Sequence, residues 1–177
     1  MKLSDYVIDY IARLGVRHIF LITGGAAVHL VDSIGKRDDI SYICCNHEQA
    51  AAMEAEAYSR MTGNIGVAIA TSGPGITNLI TGICCAYYDS IPTLFITGQV
   101  PRSQLRSGYQ VRQIGFQEID TVDIMRTFTK YSVQITNPNQ IKYELGKAVF
   151  LAKNRRPGPV VIDIPDDVQR AEISPPH

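Results

Sequence analysis

The fold is decided by residues 46–98, which read NHEQAAAMEAEAYSRMTGNIGVAIATSGPGITNLITGICCAYYDSIPTLFITG. Two apolar runs of strand length, residues 65–71 and 92–98, each follow a longer segment with helical periodicity. Such alternation is typical of a parallel sheet that is covered by helices. This stretch therefore predicts an α/β domain.

The same alternation continues on both sides of this stretch. Toward the N terminus the sequence predicts a helix that ends at Gly15, a strand at 18–23, a helix at 26–34 and a strand at 41–45. Toward the C terminus it predicts strands at 130–135 and 159–165, separated by a helix at 137–154. We expect a three-layer, doubly wound parallel sheet of about six strands from residues 1–165. Residues 166–177 show no periodicity, and we interpret them as the start of an interdomain linker or tail.

Composition narrows the class of protein. The 177 residues suffice for one domain, and 45% hydrophobic with 19% charged residues is typical of a globular protein. Seventeen basic residues balance seventeen acidic ones, which argues against binding to nucleic acid or to an anionic membrane surface. The sequence contains no pattern of a secretion signal or membrane span, so we expect a cytoplasmic location.

The four cysteines form two adjacent pairs, Cys44-Cys45 and Cys84-Cys85. Neither pair has the C-x-x-C spacing of a zinc site, and neighbouring cysteines rarely form a disulfide with each other. We therefore expect reduced, buried thiols and no metal ligands in this chain.

Three turns after predicted strands combine small and polar residues. They are residues 23–26 (TGGA), 46–48 (NHE) and 71–75 (TSGPG). Because the carboxyl ends of parallel strands meet at one edge of the sheet, we expect these turns to converge there. The turns predict a pocket for a flat or anionic ligand.

Glu48 begins the alanine-rich helix and is the acidic residue of these turns. Apolar surroundings favour its neutral form, the helix N-terminus favours its anion, and the sequence leaves the balance open. As an alternative, Glu48 is an ordinary acid in the first turn of a helix. A zinc motif H-E-x-x-H is excluded because Ala51 occupies the position of the second histidine. A dinucleotide motif G-x-G-x-x-G is broken at Asn78.

Taken together, these motifs resemble the N-terminal pyrimidine-binding domain of thiamine-diphosphate enzymes, in particular the large subunit of acetolactate synthase. The resemblance is carried by HE at 47–48, TSGPG at 71–75 with Asn78, DSIP at 89–92, ITGQVP at 96–101, FQE-x-D at 116–120 and Thr129-Lys130. It covers nearly the whole chain. Thr23 departs from it, since relatives usually have proline there, and the loop between Pro101 and Phe116 is a few residues longer.

The resemblance implies the thiamine-diphosphate-binding fold and a role for Glu48. In this family a glutamate pairs with the ring nitrogen of the cofactor's aminopyrimidine, so that the thiazolium C2 can lose its proton. Glu48 matches that glutamate and is our candidate catalytic residue. The resemblance assigns cofactor contacts to Gly24, Gly25, Ala26, Glu48, Pro74 and Asn78, and substrate contacts to Phe116, Gln117 and Lys130.

The implied activity is decarboxylation of a 2-oxo acid such as pyruvate, followed by carboligation to a second carbonyl. The resemblance also implies a partner, the diphosphate-binding domain of the same or another subunit, which holds Mg²⁺ and is absent from this sequence. FAD is possible in a middle domain, and a homodimer or homotetramer is expected. The chain alone should then be nearly inactive. It is either an excised domain, which the ending Pro175-Pro176-His177 favours, or one subunit of a split enzyme.

Three alternatives remain open at the level of sequence. A split decarboxylase for an anionic 2-oxo acid would use Arg102, Arg106 and Arg112, although these arginines equally fit a solvated loop. A non-catalytic assembly module would have no use for Glu48. A nicotinamide-dependent oxidoreductase is disfavoured by the broken dinucleotide motif.

Overall fold

The computed structural model of the chain describes residues 1–174, which form one parallel sheet with helices on both faces. Every pair of neighbouring strands runs parallel, in the order β2-β1-β3-β4-β6-β5. This confirms the predicted fold class. The strands are β1 (His18–Leu21), β2 (Ser41–Cys44), β3 (Gly66–Ala70), β4 (Thr93–Gln99), β5 (Tyr131–Gln134) and β6 (Val160–Pro165).

The helices cover the sheet in two layers. They are α1 (Leu3–Arg13), α2 (Val28–Gly35), α3 (Glu48–Thr62), α4 (Pro74–Tyr88), α5 (Thr121–Met125), α6 (Ile141–Lys153) and α7 (Asp166–Gln169). Short 3-10 turns precede α2 at Gly25–Ala27 and α6 at Pro138–Gln140, and others lie at Arg102–Gln104 and Arg126–Phe128.

Each face of the sheet has its own hydrophobic core. Leu21 and Ile96 belong to the core that α1, α2 and α6 cover. Their neighbours Phe20 and Phe95 belong to the core that α3 and α4 cover. Because successive side chains of a strand point to opposite faces, these adjacent pairs divide between the two layers. The result is the predicted three-layer arrangement.

The alanine-rich sequence of α3 is explained by close packing. A Cβ atom added at Gly66 of β3 would lie 1.8 Å from the carbonyl oxygen of Ala55, and one added at Gly82 of α4 would lie 2.4 Å from the Cβ of Ala52. Only small residues allow α3 to approach its neighbours so closely. The ring of His47 caps the start of α3 by accepting a hydrogen bond from the Gln49 amide at 3.1 Å.

Two segments differ from the sequence-based expectation. The helix α5 is not predicted, because five residues are too few to display a helical period. Residues 166–169 form α7, and residues 171–173 pack along the N terminus, where Ile173 donates its amide to Met1 O at 2.9 Å. The side chains of Val168 and Ile173 are buried. Pro175-Pro176-His177, which belong to the predicted linker or tail, lie outside the described residues.

The edge strand β2 is exposed, and so is Cys44 at its end. The expectation of buried thiols is therefore wrong for Cys44, and the other three cysteines are only half-buried. The reason is the position of β2 at the sheet edge, where one side has no neighbouring strand. All four thiols are free. Within residues 1–174 no helix combines the length and apolarity that crossing a bilayer requires.

Candidate functional site

The topology creates a crevice between β1 and β3. The chain leaves β1 toward β2 through α2 on one face, and leaves β3 toward β4 through α4 on the other face. Ligands of doubly wound sheets bind at such a switch point, outside the carboxyl ends of the strands. The predicted glycine turns follow these two strands, so the fold places them at the crevice.

The first and third turns are in direct contact. The amide of Ala26 donates a hydrogen bond to Thr71 Oγ1 at 3.2 Å. A Cβ atom added at Gly24 would lie 2.4 Å from the Cβ of Thr71, so a side chain there would displace the third turn. The predicted convergence of these two turns is therefore present in the structure.

Glu48, the last residue of the second turn, contacts the helix that follows the third turn. As the first residue of α3 it is largely buried, with 9% of its surface exposed. Its Oε2 accepts a hydrogen bond from Asn78 Nδ2 of α4 at 2.9 Å. Its Oε1 accepts no hydrogen bond from residues 1–174 and lies 3.6 Å from the place where a Cβ of Gly75 would stand. One oxygen is thus fixed by the protein, and the other is available to a donor on a ligand.

A cavity of about 430 Å³ lies next to the hydrogen-bonded pair of Glu48 and Asn78. Thr71 lies between the cavity and this pair, since it lines the cavity and its Cγ2 lies 3.0 Å from the point that a Cβ of Gly75 would occupy. Glu48, Pro74 and Asn78 lie outside the lining. The wall is formed by Gly24, Gly25, Ala26, Thr71, Ser72, Gln99, Val100, Pro101, Gln104, Phe116, Gln117 and Asp166.

Phe116 and Gln117 reach the cavity because their loop folds back onto the third turn. A Cβ atom added at Gly73 would lie 2.7 Å from the Cβ of Gln117. Both Gly73 and Gln117 have left-handed backbones, with φ of +63° and +62° respectively. For a residue with a side chain that conformation is strained, and such strain often occurs at functional sites. Phe116 is 82% exposed at the rim.

Glu118 holds this loop together and was not predicted as a site residue. Its buried carboxylate accepts hydrogen bonds from the amide of Arg106 on the outgoing limb and from the amide of Ile114, at 2.9 Å, on the returning limb. Its position directly after Phe116-Gln117 was the available signal in the sequence. A buried carboxylate that accepts hydrogen bonds from both limbs stabilises the fold of this long loop.

Behind the wall, Asp163 supports Gln99. Asp163 is fully buried and accepts hydrogen bonds from Thr97 Oγ1 at 2.6 Å, Gln134 Nε2 at 2.8 Å and Gln99 Nε2 at 3.3 Å. Gln99 also donates to Ile119 O at 3.0 Å, at the end of the loop. Burial raises the pKa of Asp163, although these donors act in the opposite direction.

The structure does not bring Lys130 to the other predicted substrate residues. Lys130 precedes β5, so it lies at the amino ends of the strands, at the opposite edge of the sheet from the glycine turns. Its ammonium group donates to Asn154 O at 2.6 Å and to Leu151 O. Burial lowers the pKa of Lys130, and the positive charge of Arg155 adds to the effect.

Two of the three loop arginines are engaged within the domain. Arg102 donates from its Nε to Asp167 at 2.7 Å and from its Nη1 to Thr136 O at 2.8 Å. Arg106 forms an ion pair with Asp120. Arg112 is exposed. Arg102 and Arg106 therefore anchor the loop, which does not favour a joint role of these arginines in anion recognition.

Within residues 1–174 no group of three or more His, Cys, Asp or Glu side chains could hold a metal ion. Glycine-rich turns and a cavity at the switch point of a parallel sheet are typical of a ligand-binding domain of the doubly wound α/β class. Residues 1–124 match the family described as "Thiamine pyrophosphate enzyme, N-terminal TPP binding domain". The chain belongs to this family, and the resemblance stated from the sequence is confirmed.

Named relatives point to the same group. The chain is 45% identical over 170 residues to "Acetolactate synthase" of Arthrospira platensis. It is 43% identical over 171 residues to "Acetolactate synthase large subunit" of Lactococcus lactis subsp. lactis, and 38% identical over 174 residues to "Acetolactate synthase 2, chloroplastic" of Zea mays. These matches cover 94%, 97% and 98% of this chain, but only 28%, 29% and 26% of the relatives. The chain thus spans less than a third of the length of the curated relatives it matches.

Proposed function

We propose that this chain is the pyrimidine-binding part of a thiamine-diphosphate-dependent 2-oxo acid decarboxylase and carboligase of the acetolactate-synthase kind, in which Glu48 contacts the cofactor's aminopyrimidine. The observation that carries the proposal is the geometry of Glu48. Its carboxyl is nearly buried, one oxygen is fixed by Asn78 and the other has no donor among residues 1–174. The proposal also rests on family membership.

The residues around Glu48 fit a flat aminopyrimidine ring. Gly75 leaves the space beside Oε1 without a side chain, and Gly25, at the neighbouring turn, has no atom within 4 Å of the place where its Cβ would stand. Oε1 can accept a hydrogen bond from a ring N–H or return that proton to the ring nitrogen, and the buried position shields the exchange from water. When bound, thiamine diphosphate supplies the nucleophilic carbon and the electron sink. The chain's own part is to hold the ring and control one proton.

The cavity beside Thr71 is proposed as the place of the substrate. Phe116 and Gln117, to which the resemblance assigns substrate contacts, belong to its wall. Phe116 is largely exposed on this domain, which supports a surface of another domain packing over the rim. Lys130 lies at the opposite edge of the sheet and does not line this cavity, so its contact with substrate stays a prediction.

A diphosphate-binding domain with Mg²⁺, from the same or another subunit, completes the proposed site. The short share of the relatives' length that this chain covers supports that expectation. Low activity of the isolated chain follows from it. FAD in a middle domain, a homo-oligomeric state and a cytoplasmic location stay predictions.

The proposal is tested by replacing Glu48 with Gln in the complete protein that carries this domain, with any separate diphosphate-domain subunit present. Gln keeps the size of the side chain but cannot take up the proton. We expect thiamine-diphosphate-dependent consumption of pyruvate to fall by about 10² to 10⁴-fold, the usual contribution of a positioned acid or base. Calorimetric titration with the cofactor then separates lost binding from lost turnover.

The matched control is Glu54→Gln, which changes the same residue type on the same helix and leaves the Glu48–Asn78 pair intact. We expect the Glu54 variant to keep normal turnover. Normal turnover by the Glu48 variant would mean that the proposed chemistry is wrong.

A further inference from the structure

The turn that follows β1 is held in place by residues of other elements. Residues 24–26 are two glycines and an alanine, so no side chain longer than a methyl group can anchor this turn, and contacts of its backbone have to fix it. The amide of Ala26 donates a hydrogen bond to Thr71 Oγ1 at 3.2 Å. The carbonyl of Ala26 contacts a fully buried side chain, that of Gln169.

Gln169, the last residue of α7, donates a hydrogen bond to this carbonyl. Its Nε2 lies 2.6 Å from Ala26 O and 2.8 Å from Ile164 O of β6, so both hydrogens of the side-chain amide have an acceptor. Such distances are typical of well-formed hydrogen bonds between an amide and a carbonyl. Gln169 therefore connects the turn after β1 to β6 and α7, although Ala26 and Gln169 are 143 residues apart in the chain.

The same carbonyl packs against the backbone of β4. A Cβ atom added at Gly98 would lie 1.9 Å from Ala26 O and 2.8 Å from the backbone nitrogen of Ala27. The absence of a side chain at Gly98 thus allows the turn to lie directly on the strand. Contact with β4, the hydrogen bond to Thr71 and the hydrogen bond from Gln169 together restrain the turn through three separate elements.

The restrained turn forms part of the cavity wall, whereas Gln169 does not line the cavity. We infer that Gln169 is a positioning residue, which holds residues 24–26 in the conformation that binds the cofactor. A turn that is already ordered lowers the entropic cost of binding. The inference rests on the proposed function, in which residues 24–26 lie beside the cofactor.

The test replaces Gln169 with Met in the complete protein that carries this domain, with Mg²⁺ and any separate diphosphate-domain subunit present. Methionine has a similar length but cannot donate a hydrogen bond. The substitution also removes Gln169 Oε1, which is buried and accepts no hydrogen bond from residues 1–174, so no donor among these residues loses its acceptor. Calorimetric titration with thiamine diphosphate measures the Kd and the number of binding sites, and urea unfolding measures stability.

We expect Gln169→Met to raise the Kd of thiamine diphosphate by about tenfold, as for a restraint equivalent to one buried hydrogen bond. At saturating cofactor, kcat should fall by less than about threefold, because Glu48 and Asn78 keep their hydrogen bond. A purely structural role would instead reduce the number of binding sites in proportion to the unfolded protein. It would leave the Kd of the folded protein unchanged.

Val168→Ala is the matched control. Val168 is the preceding residue of α7 and is fully buried, so its truncation weakens the packing of this helix but retains the side chain of Gln169. We expect this variant to be less stable and to bind thiamine diphosphate with the Kd of wild type. An equal rise of the Kd in both variants would overturn the inference, because loosening of α7 would then be sufficient.

A second variant, Gln169→Asn, keeps the amide group but shortens the side chain by one methylene, and it should raise the Kd in the same way. An unchanged Kd in these folded variants, with cofactor binding by wild type, would overturn the positioning inference and leave the proposed function intact. Failure of both variants to fold would also overturn it, since Gln169 would then support the whole fold. Absence of thiamine-diphosphate binding by wild type would overturn both proposals.

Discussion

At the scale of single residues, three buried carboxyl groups have different roles because they have different partners. Glu48 has one partner, Asn78, and one oxygen left open among residues 1–174. Glu118 accepts hydrogen bonds from two backbone amides and stabilises a loop. Asp163, on β6, accepts hydrogen bonds from three side chains of neighbouring strands. The motif around Glu48 predicted its importance, but the partners of Asp163 come from β4 and β5 and could not be identified from the sequence.

Asp163 predicts a pH dependence of stability. Because burial raises its pKa, the folded chain keeps this proton at pH values where the unfolded chain has lost it. The folded state then binds more protons, so the free energy of unfolding falls as pH rises above about 4, the pKa of an unfolded aspartate, until Asp163 itself ionises. Asp163→Asn removes this dependence.

The measurement is urea unfolding of wild type and Asp163→Asn at several pH values from about 5 to about 8. As pH rises from about 5 toward the pKa of Asp163 in the folded state, the free energy of unfolding of wild type should fall relative to that of the variant. Parallel curves across the whole range would contradict the prediction, because all other titrating groups are common to both proteins.

At the scale of elements, the close contact of α3 with β3 and α4 fixes the site. Small residues on these elements bring Glu48 of α3 within reach of Asn78 of α4. The alternation of strands and helices predicted these elements, with bounds that differ from the structure by a few residues. Between β4 and α5 no helix or strand was predicted, and the conformation of this loop depends on Glu118 and on the ion pairs of Arg102 and Arg106.

Replacing Gly82 by Ala tests the contact between α3 and α4. The new Cβ would lie 2.4 Å from the Cβ of Ala52 and 3.2 Å from the backbone nitrogen of Met53, so the helices would have to separate. We expect a loss of about 1–3 kcal/mol in the free energy of unfolding, measured with urea.

Gly146→Ala is the matched control on α6, where the nearest atom, Tyr10 Oη, is 3.9 Å away. Without a clash, alanine should increase stability by up to about 1 kcal/mol because of its higher helix propensity. Equal effects of the two substitutions would show that α3 and α4 are not in the tight contact described.

At the scale of the whole molecule, the two ends of the described chain meet. Leu3 donates its amide to Ala171 O at 2.9 Å, and Lys2 forms a β-bridge with Glu172. Ile173 is buried in the core that α1 covers. Residues 166–174 therefore pack as part of the domain, and Asp166 takes its place in the cavity wall because this segment is fixed.

Ile173→Ala is expected to lower the free energy of unfolding by about 2–4 kcal/mol, the cost of a cavity in a core. Ile114→Ala, at a side chain that is 44% exposed, should cost less than about 1 kcal/mol. Thermal and urea unfolding of both variants provide the comparison. A negligible effect of Ile173→Ala would mean that the terminal segment is a loosely attached tail.

Local periodicity and short motifs, each within one segment, were enough to predict the class of fold and the family, and they also predict the role that is proposed for Glu48. Which residues share the pocket could be found only from the fold. It moved Lys130 to the opposite edge of the sheet, engaged Arg102 and Arg106 in ion pairs, and added Gln99 and Asp166 to the wall. The physical reason is that strand order, rather than chain order, sets which strand ends are neighbours.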